Sequence, residues 1–251
     1  LLKSAAQLHT SENGQLSLDE LLAEYQDVLS NTLEGREKEI VGGPMTIHLD
    51  ESKHIKPMHV TTTKPIPLHW KGMADDLVEE LLNSGTIVPV TEPTKWINKG
   101  FFVAKPNNPN ALRLVTDLFK LNLYTKRPIH PFPTPEAIRQ SLDADSKWFC
   151  TMDATHGYFQ IPLTEESSRL TTFLLPQGRF RYTCAPMGCT ASSDEWCRRS
   201  DLAIAGIKGV QKCVDDILIS APDEETLKQR MEQVLEGCRK NGITISQKKI
   251  Q

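Results

Sequence analysis

Apolar residues spaced three and four apart mark several helices. Leu18, Leu21, Leu22, Tyr25, Val28 and Leu29 predict an amphipathic helix over 17–29, opened by a Ser17/Glu20 capping-box pattern. Met73, Leu77, Val78, Leu81 and Leu82 predict a second over about 73–84, stopped by Gly85. Leu227, Met231, Val234, Leu235 and Cys238 share one face of a third over 223–240, ended by Asn241-Gly242. Ser192–Ala205 and the short Pro135–Leu142 also read as helical. Between these lie short apolar runs bounded by turn residues, the mark of strands. Gly100–Ala104 and Leu112–Thr116 flank a Pro- and Asn-rich turn and predict a hairpin. Leu170–Leu175 and Phe180–Cys184 flank Pro176-Gln177-Gly178-Arg179 and predict another. Trp148–Met152, Met45–Leu49 and Ile243–Ser246 read as single strands. Residues 31–69 are otherwise Gly- and Pro-rich and read as an extended linker laid against something else. Gly209–Cys213 and Ile217–Ala221 are two strands with acids at the turn between them. Hairpins mixed with helices, without regular βαβα alternation, point to an α+β fold.

Composition narrows the class. A chain of 251 residues with 39% apolar and 24% charged residues is an ordinary globular protein of one large domain or two small ones. Apolar runs such as Phe101–Ala104 fall far short of the roughly 18–20 residues of a membrane span, so no membrane partner is expected. The start shows no basic segment followed by an apolar block and no Met, and so reads as a piece of a polyprotein without a signal peptide. The net charge of −3 hides an asymmetry. Residues 95–130 hold seven basic residues against Asp117 alone, while residues 1–50 hold three against nine acids. What attracts phosphate is the local field, so a polyanion partner stays open, beside the plainer reading of a solvated basic face. Cys150, Cys184, Cys189, Cys197, Cys213 and Cys238 form no CxxC pair and read as reduced, buried thiols.

The Asp215-Asp216 pair carries the chemistry. Adjacent carboxylates between two apolar strands each disfavour the ionisation of the other. Taken alone they would be a solvated acidic turn; a cation that offsets the repulsion is the other explanation. Mg²⁺ at phosphate-transfer sites is held by one or two carboxylates plus substrate oxygens. Asp153, just after the strand Trp148–Met152, supplies a third carboxylate that a strand end and a hairpin tip can bring together. Two divalent ions held so can activate a hydroxyl and stabilise a leaving pyrophosphate.

These residues stand in a longer pattern. Arg113–Asn122 resembles the fingers motif RxCxDYRxLN, and Arg127–Pro133 the RYPLP segment. Thr151–Leu163 resembles LDLxSGYxQIP, and Pro186-Met187-Gly188 the PFGL turn. Val214–Ile219 resembles YxDDILI, and Gly242–Lys249 resembles GLxLNPKK. Over about 64–251 the chain resembles the reverse transcriptase of gypsy-type LTR retrotransposons, and 1–63 resembles an N-terminal helix and a protease-to-polymerase tether.

The resemblance implies a right-hand polymerase of fingers and palm, its thumb absent or truncated, that copies RNA into DNA. It implies Asp153, Asp215 and Asp216 as catalytic residues and ligands of two Mg²⁺ ions, with Mn²⁺ as a substitute. Arg113 would contact the triphosphate, Tyr158 would lie under the sugar, Gly188 would let backbone approach the nucleotide or template, and Lys249 would face the pyrophosphate. Implied partners are a primed RNA or DNA template, deoxynucleoside triphosphates and the remaining thumb and RNase H of a Pol polyprotein. The implied location is the cytoplasm, within a virus-like particle if the element is active. Two departures stand out: Cys213 replaces the Tyr before xDD, and Cys189–Trp196 replaces LTNAPATF. A non-catalytic nucleic-acid-binding or interaction module is the alternative, against which the intact acids argue. An RNA-templated RNA polymerase shares the palm logic, and Tyr158 argues against it.

Overall fold

The computed structural model describes residues 17–32, 39–106 and 108–251; the rest of the expected 1–63 segment, and Asn107 of the expected turn, lie outside the described residues. In chain order the elements are α1 (Leu18–Glu24), α2 (Lys71–Asn83), β1 (Ile87–Pro89), β2 (Asn98–Lys105), β3 (Asn108–Asp117), α3 (Phe119–Tyr124), α4 (Pro135–Gln140), β4 (Trp148–Asp153), α5 (Glu165–Leu170), β5 (Phe173–Leu175), β6 (Gly178–Tyr182), α6 (Thr190–Ile204), β7 (Val210–Cys213), β8 (Asp216–Ala221) and α7 (Glu224–Asn241). The class is α+β, as the mixed order of elements predicts. Two compact units share the chain: Leu1–Val41 with His130–Gly157 and Trp196–Gln251, and Gly42–Ile129 with Tyr158–Glu195. Among the described residues no helix is long and apolar enough to cross a membrane.

The second unit is built on a five-stranded sheet ordered β1-β6-β5-β2-β3. All its pairings are antiparallel except β2 with β5. Its centre is aromatic: the rings of Phe173 and Tyr182 lie 5.0 Å apart and those of Phe173 and Phe180 6.0 Å apart. The Tyr182 hydroxyl, wholly enclosed, meets Thr116 Oγ1 at 3.1 Å, so its polar end is satisfied while the ring packs. Helix α5, which no apolar period announces, is opened by Thr164, whose hydroxyl accepts from the Ser167 amide. It takes Leu170 out of the expected strand, and the hairpin shrinks to β5 and β6. Met45–Leu49 forms no strand; Met45 and Leu49 make single bridges to Leu163 and Thr125.

The first unit is built on the antiparallel sheet β4-β8-β7. Helix α7 packs on β4 and β8 through the predicted stripe, with Val234, Leu235 and Cys238 fully buried. Asp223 caps its N-terminus by accepting from the Thr226 amide at 2.7 Å. The capping box of α1 is present, but the helix ends at Glu24 rather than at 29. The cause is tertiary: Leu29 is drawn into a bridge with Ile245, and the Ser30 amide donates to the Ile245 carbonyl. Ile245 also bridges Ala154, so the expected strand Ile243–Ser246 is present only as these bridges.

Gly242 ends α7 at φ 67°, and a Cβ there would overlap the Glu39 carbonyl oxygen. Gly242→Ala is therefore expected to destabilise the chain by about 2 kcal/mol or more, from left-handed strain plus the backbone clash. A urea melt followed by circular dichroism checks this; an unchanged midpoint would show that the two segments part without loss.

Candidate active site

Asp153 is the last residue of β4 and Asp216 the first of β8, and the two are direct cross-strand partners. Asp216 is also the partner of Cys213 at the end of β7. Partners across a sheet share a face, so Asp153, Asp216 and Cys213 form one row on the more open side. The next row, Met152, Ile217 and Lys212, is buried. Val214 and Asp215 make the tip between the strands, with Val214 in the left-handed region at φ 58°. The indole Nε1 of Trp196 donates to the Val214 carbonyl at 3.0 Å.

The carboxyl of Asp215 is held in a small space. Its Oδ1 is buried and has no hydrogen-bond partner among the described residues. A Cβ on Gly157 would sit 2.8 Å from that oxygen and 2.8 Å from the Trp196 ring, so only glycine fits. Burial, then the charges of Asp153 and Asp216, push the Asp215 carboxyl up to about 6, against the opposing pull of Lys212 and Lys249. Asp216 is also raised, by burial first and then by Asp153. Lys249 follows a turn anchored where the Ser246 amide donates to the Asp153 carbonyl at 2.8 Å, and its Nζ reaches Asp153 Oδ1 at 2.8 Å. Asp153, Asp216, Cys213 and Lys249 line a cleft of about 470 Å³ with Pro135 and Ile138 of α4.

These features fit a divalent cation. Carboxylates that repel, one buried oxygen without a donor and a cleft open to substrate oxygens are what such an ion needs. Among the described residues no three His, Cys, Asp or Glu side chains are placed to hold a metal ion by themselves. The set suits an ion completed by substrate rather than by protein alone. Asp153, Asp215 and Asp216 are the residues that would hold it.

The structure thus gathers four of the predicted site residues, Asp153, Asp215, Asp216 and Lys249, in the first unit. Arg113, Tyr158 and Gly188 belong to the second. Arg113 is exposed on β3, opposite Val103. The Tyr158 hydroxyl accepts from Ser193 Oγ at 3.2 Å. Gly188 adopts φ 87° and its carbonyl accepts from Asn122 Nδ2 at 2.8 Å. In the divergent Cys189–Trp196 segment, Asp194 is fully buried and takes both Nε and Nη2 of Arg127, at 2.8 and 2.9 Å. Lys212, Gly157 and Trp196 shape the acidic tip without having been singled out by their residue types. The one sequence signal for Lys212 is a charge at an inward position of an alternating strand.

The raised Asp215 carboxyl makes stability depend on pH. In metal-free buffer the folded chain keeps that proton up to about pH 6, whereas an unperturbed Asp releases it near 3.8. The folded state therefore binds more protons in that window, and stability gained at pH 4 is lost as pH rises through 6. Asp215→Asn is expected to be about 2 kcal/mol more stable than the parent at pH 7, allowing for solvent screening. The difference should vanish near pH 4. Urea melts of both proteins in EDTA, from pH 4 to 7.5, check it; parallel curves would place the buried charge elsewhere.

Comparison with known proteins gives the family and the fold. The profile of the "Reverse transcriptase (RNA-dependent DNA polymerase)" family matches residues 104–251. The "Enzymatic polyprotein" of Figwort mosaic virus is 29% identical over 203 residues, covering 78% of this chain and 30% of the viral one. The "Retrovirus-related Pol polyprotein from transposon opus" of Drosophila melanogaster is 27% identical over 192 residues, covering 74% of this chain and 19% of the other. The prototype foamy virus protease-reverse transcriptase superposes with a TM-score of 0.80 at 22% identity, over 93% of this chain and 30% of that one. The foamy viral enzyme in complex with an RNA/DNA hybrid gives 0.72 at 20% identity, over 92% and 30%. The fold is that of the foamy viral enzyme's matching part, and the chain spans less than a third of the length of these relatives. With its family profile over most of the chain and its acids at the expected strand ends, this chain belongs to the reverse transcriptase (RNA-dependent DNA polymerase) family.

Proposed function

We propose that the chain is the fingers-and-palm part of an RNA-directed DNA polymerase from a gypsy-type LTR retrotransposon Pol polyprotein. In this reading residues 64–251 form the polymerase and 1–63 an N-terminal helix and tether. The observation that carries it is the cluster of Asp153, Asp215 and Asp216, with the Asp215 and Asp216 carboxyls raised and one Asp215 oxygen unpartnered among the described residues, in a member of this family. Such a site is built for a cation that the polypeptide does not itself supply.

The reaction joins the 3′-oxygen of a primer to the α-phosphorus of a deoxynucleoside triphosphate. The hydroxyl loses its proton, the new P–O bond forms, and the bond to pyrophosphate breaks. Two Mg²⁺ ions, or Mn²⁺ in their place, would supply Lewis acidity toward the attacking and leaving oxygens. Asp153, Asp215 and Asp216 would hold those ions. Lys249, already on Asp153, carries a positive charge at the edge of the cleft and faces the pyrophosphate as it leaves. Arg113 offers the triphosphate a planar fork of donors. Tyr158, steadied by Ser193, lies under the sugar and leaves no room for a 2′-hydroxyl, and Gly188 lets backbone come close to nucleotide or template. A primed RNA or DNA template is the polymeric substrate, and the foamy viral enzyme bound to an RNA/DNA hybrid supports that reading. The work would take place in the cytoplasm, within a virus-like particle if the element is active.

Primer extension on oligo(dT)/poly(rA) with Mg²⁺ tests the reading, run on the longest polypeptide that carries this chain. Asp153→Asn and Asp215→Asn should each reduce extension to background while primer–template binding survives. Extension by either variant would overturn the assignment, and binding without extension by the parent would turn the reading to a nucleic-acid-binding module. Sugar selection gives a separate check. Tyr158→Ala should raise kcat/KM for a ribonucleotide relative to its deoxy counterpart by at least about tenfold. A fallen melting temperature with an unchanged ratio would make Tyr158 a packing residue.

A further inference from the structure

Lys212 is out of place on β7. The strand alternates buried and half-buried positions, and Lys212 falls on the buried side with Val210. Its cross-strand partner is Ile217, whose other neighbour is Met152, so an ammonium stands in an apolar row with its side chain only 3% exposed. An ammonium ion there is strongly disfavoured unless it is paired and hydrogen-bonded. Both conditions are met. Asp201 on α6 lies 2.9 Å from Lys212 Nζ and is itself held from its other oxygen by His130 Nε2 at 2.6 Å. The same Nζ donates to the Val214 carbonyl at 3.4 Å.

That carbonyl is the one Trp196 also reaches. Two donors from different directions therefore fix one peptide plane at the tip of the hairpin. The plane is rigid, so fixing its oxygen also fixes the N–Cα direction of the next residue, which is Asp215. The clamp is needed because Val214, a β-branched residue, sits at φ 58°, a conformation that persists only when its surroundings over-determine it.

We propose that Lys212 is a positioning residue: anchored by Asp201, it clamps the Val214 carbonyl together with Trp196, holds the strained tip and aims the Asp215 carboxylate. The metal arm of the test rests on the assignment of Asp215 as a cation ligand; the backbone arm does not. A purely electrostatic Lys212 would act in the opposite direction. Removing a cation from behind three carboxylates should strengthen their attraction for a metal ion, whereas loosening the tip should weaken it.

The test compares Lys212→Met, which keeps the length of the side chain, with the parent. Mn²⁺ affinity is read by titration in an electron paramagnetic resonance spectrometer. Hydrogen exchange is read by mass spectrometry on peptides spanning 210–218. Lys212→Met should bind Mn²⁺ about 10–100-fold more weakly, as loss of an outer partner does, with faster exchange confined to the tip. Asp201→Asn, at a partly exposed site less able to disturb folding, should loosen the same peptide. Tighter Mn²⁺ binding with unchanged tip exchange would overturn the proposal in favour of a charge effect. Faster exchange spread evenly over the unit would overturn it in favour of a packing role. A parent chain that fails to bind Mn²⁺ while tip exchange still depends on Lys212 would sink the metal assignment and leave the positioning role supported.

Discussion

Mutual repulsion among Asp153, Asp215 and Asp216 is the constraint around which the first unit is arranged. Like charges this close are tolerated only if the backbone cannot move them apart and if opposite charge is at hand. The β4–β8 ladder meets the first condition by pairing Asp153 with Asp216 directly. Lys249 meets part of the second from the open side, and Lys212 from the buried side. Gly157 and Trp196 then close the space around the Asp215 carboxyl without offering it a hydrogen bond. The cluster is left short of positive charge, and that shortage is what the proposed cation would make good.

The meeting of the three acids at a strand end and a hairpin tip was legible in the sequence because their placement is anomalous. Two adjacent carboxylates between apolar strands and a third at a strand end conflict with local preference, and such conflicts concentrate at functional sites. The long helices were legible too, α7 most of all, where period, cap and stop agree. What failed was decided by long-range pairing. The last residues of the 17–29 stretch have the period of a helix, yet Leu29 is claimed by Ile245 across the unit. Ile243–Ser246 reads as a strand and is split between two partners, each making a single bridge. Helix α5 is short and polar, held by Thr164 and by the enclosed Ser167 and Ser168, so it carries no apolar period. Lys212 was legible only as an exception to alternation, a weak signal until the partner on α6 is in view.

The second unit shows how a departure from a motif can be absorbed. Asp194 stands in a segment that diverges from the family pattern, and an acid near a helix start would ordinarily face solvent. Here it is enclosed and bound through two parallel hydrogen bonds by Arg127, which introduces the proline-rich stretch. The bidentate geometry satisfies both carboxylate oxygens, which is what a buried carboxylate requires. Divergence at one position and the arginine of a distant motif are thus one interaction.

The row made by Asp153, Asp216 and Cys213 also sets what kinds of length change the chain can absorb. Between β4 and β8 the polypeptide runs from Gly157 through the other unit and back at Trp196, and nothing in the ladder measures that distance. In a loop of that stretch, residues could be gained or lost without shifting this ladder, at an entropic penalty that grows slowly with length. Within β4, β7 or β8 the rule is the reverse. Side chains alternate with a period of two, so one inserted residue would turn Asp153 inward and bring an apolar neighbour out. The ladder behaves as a reading frame: insensitive to the length of the intervening text, and intolerant of a single slipped character inside its own few residues.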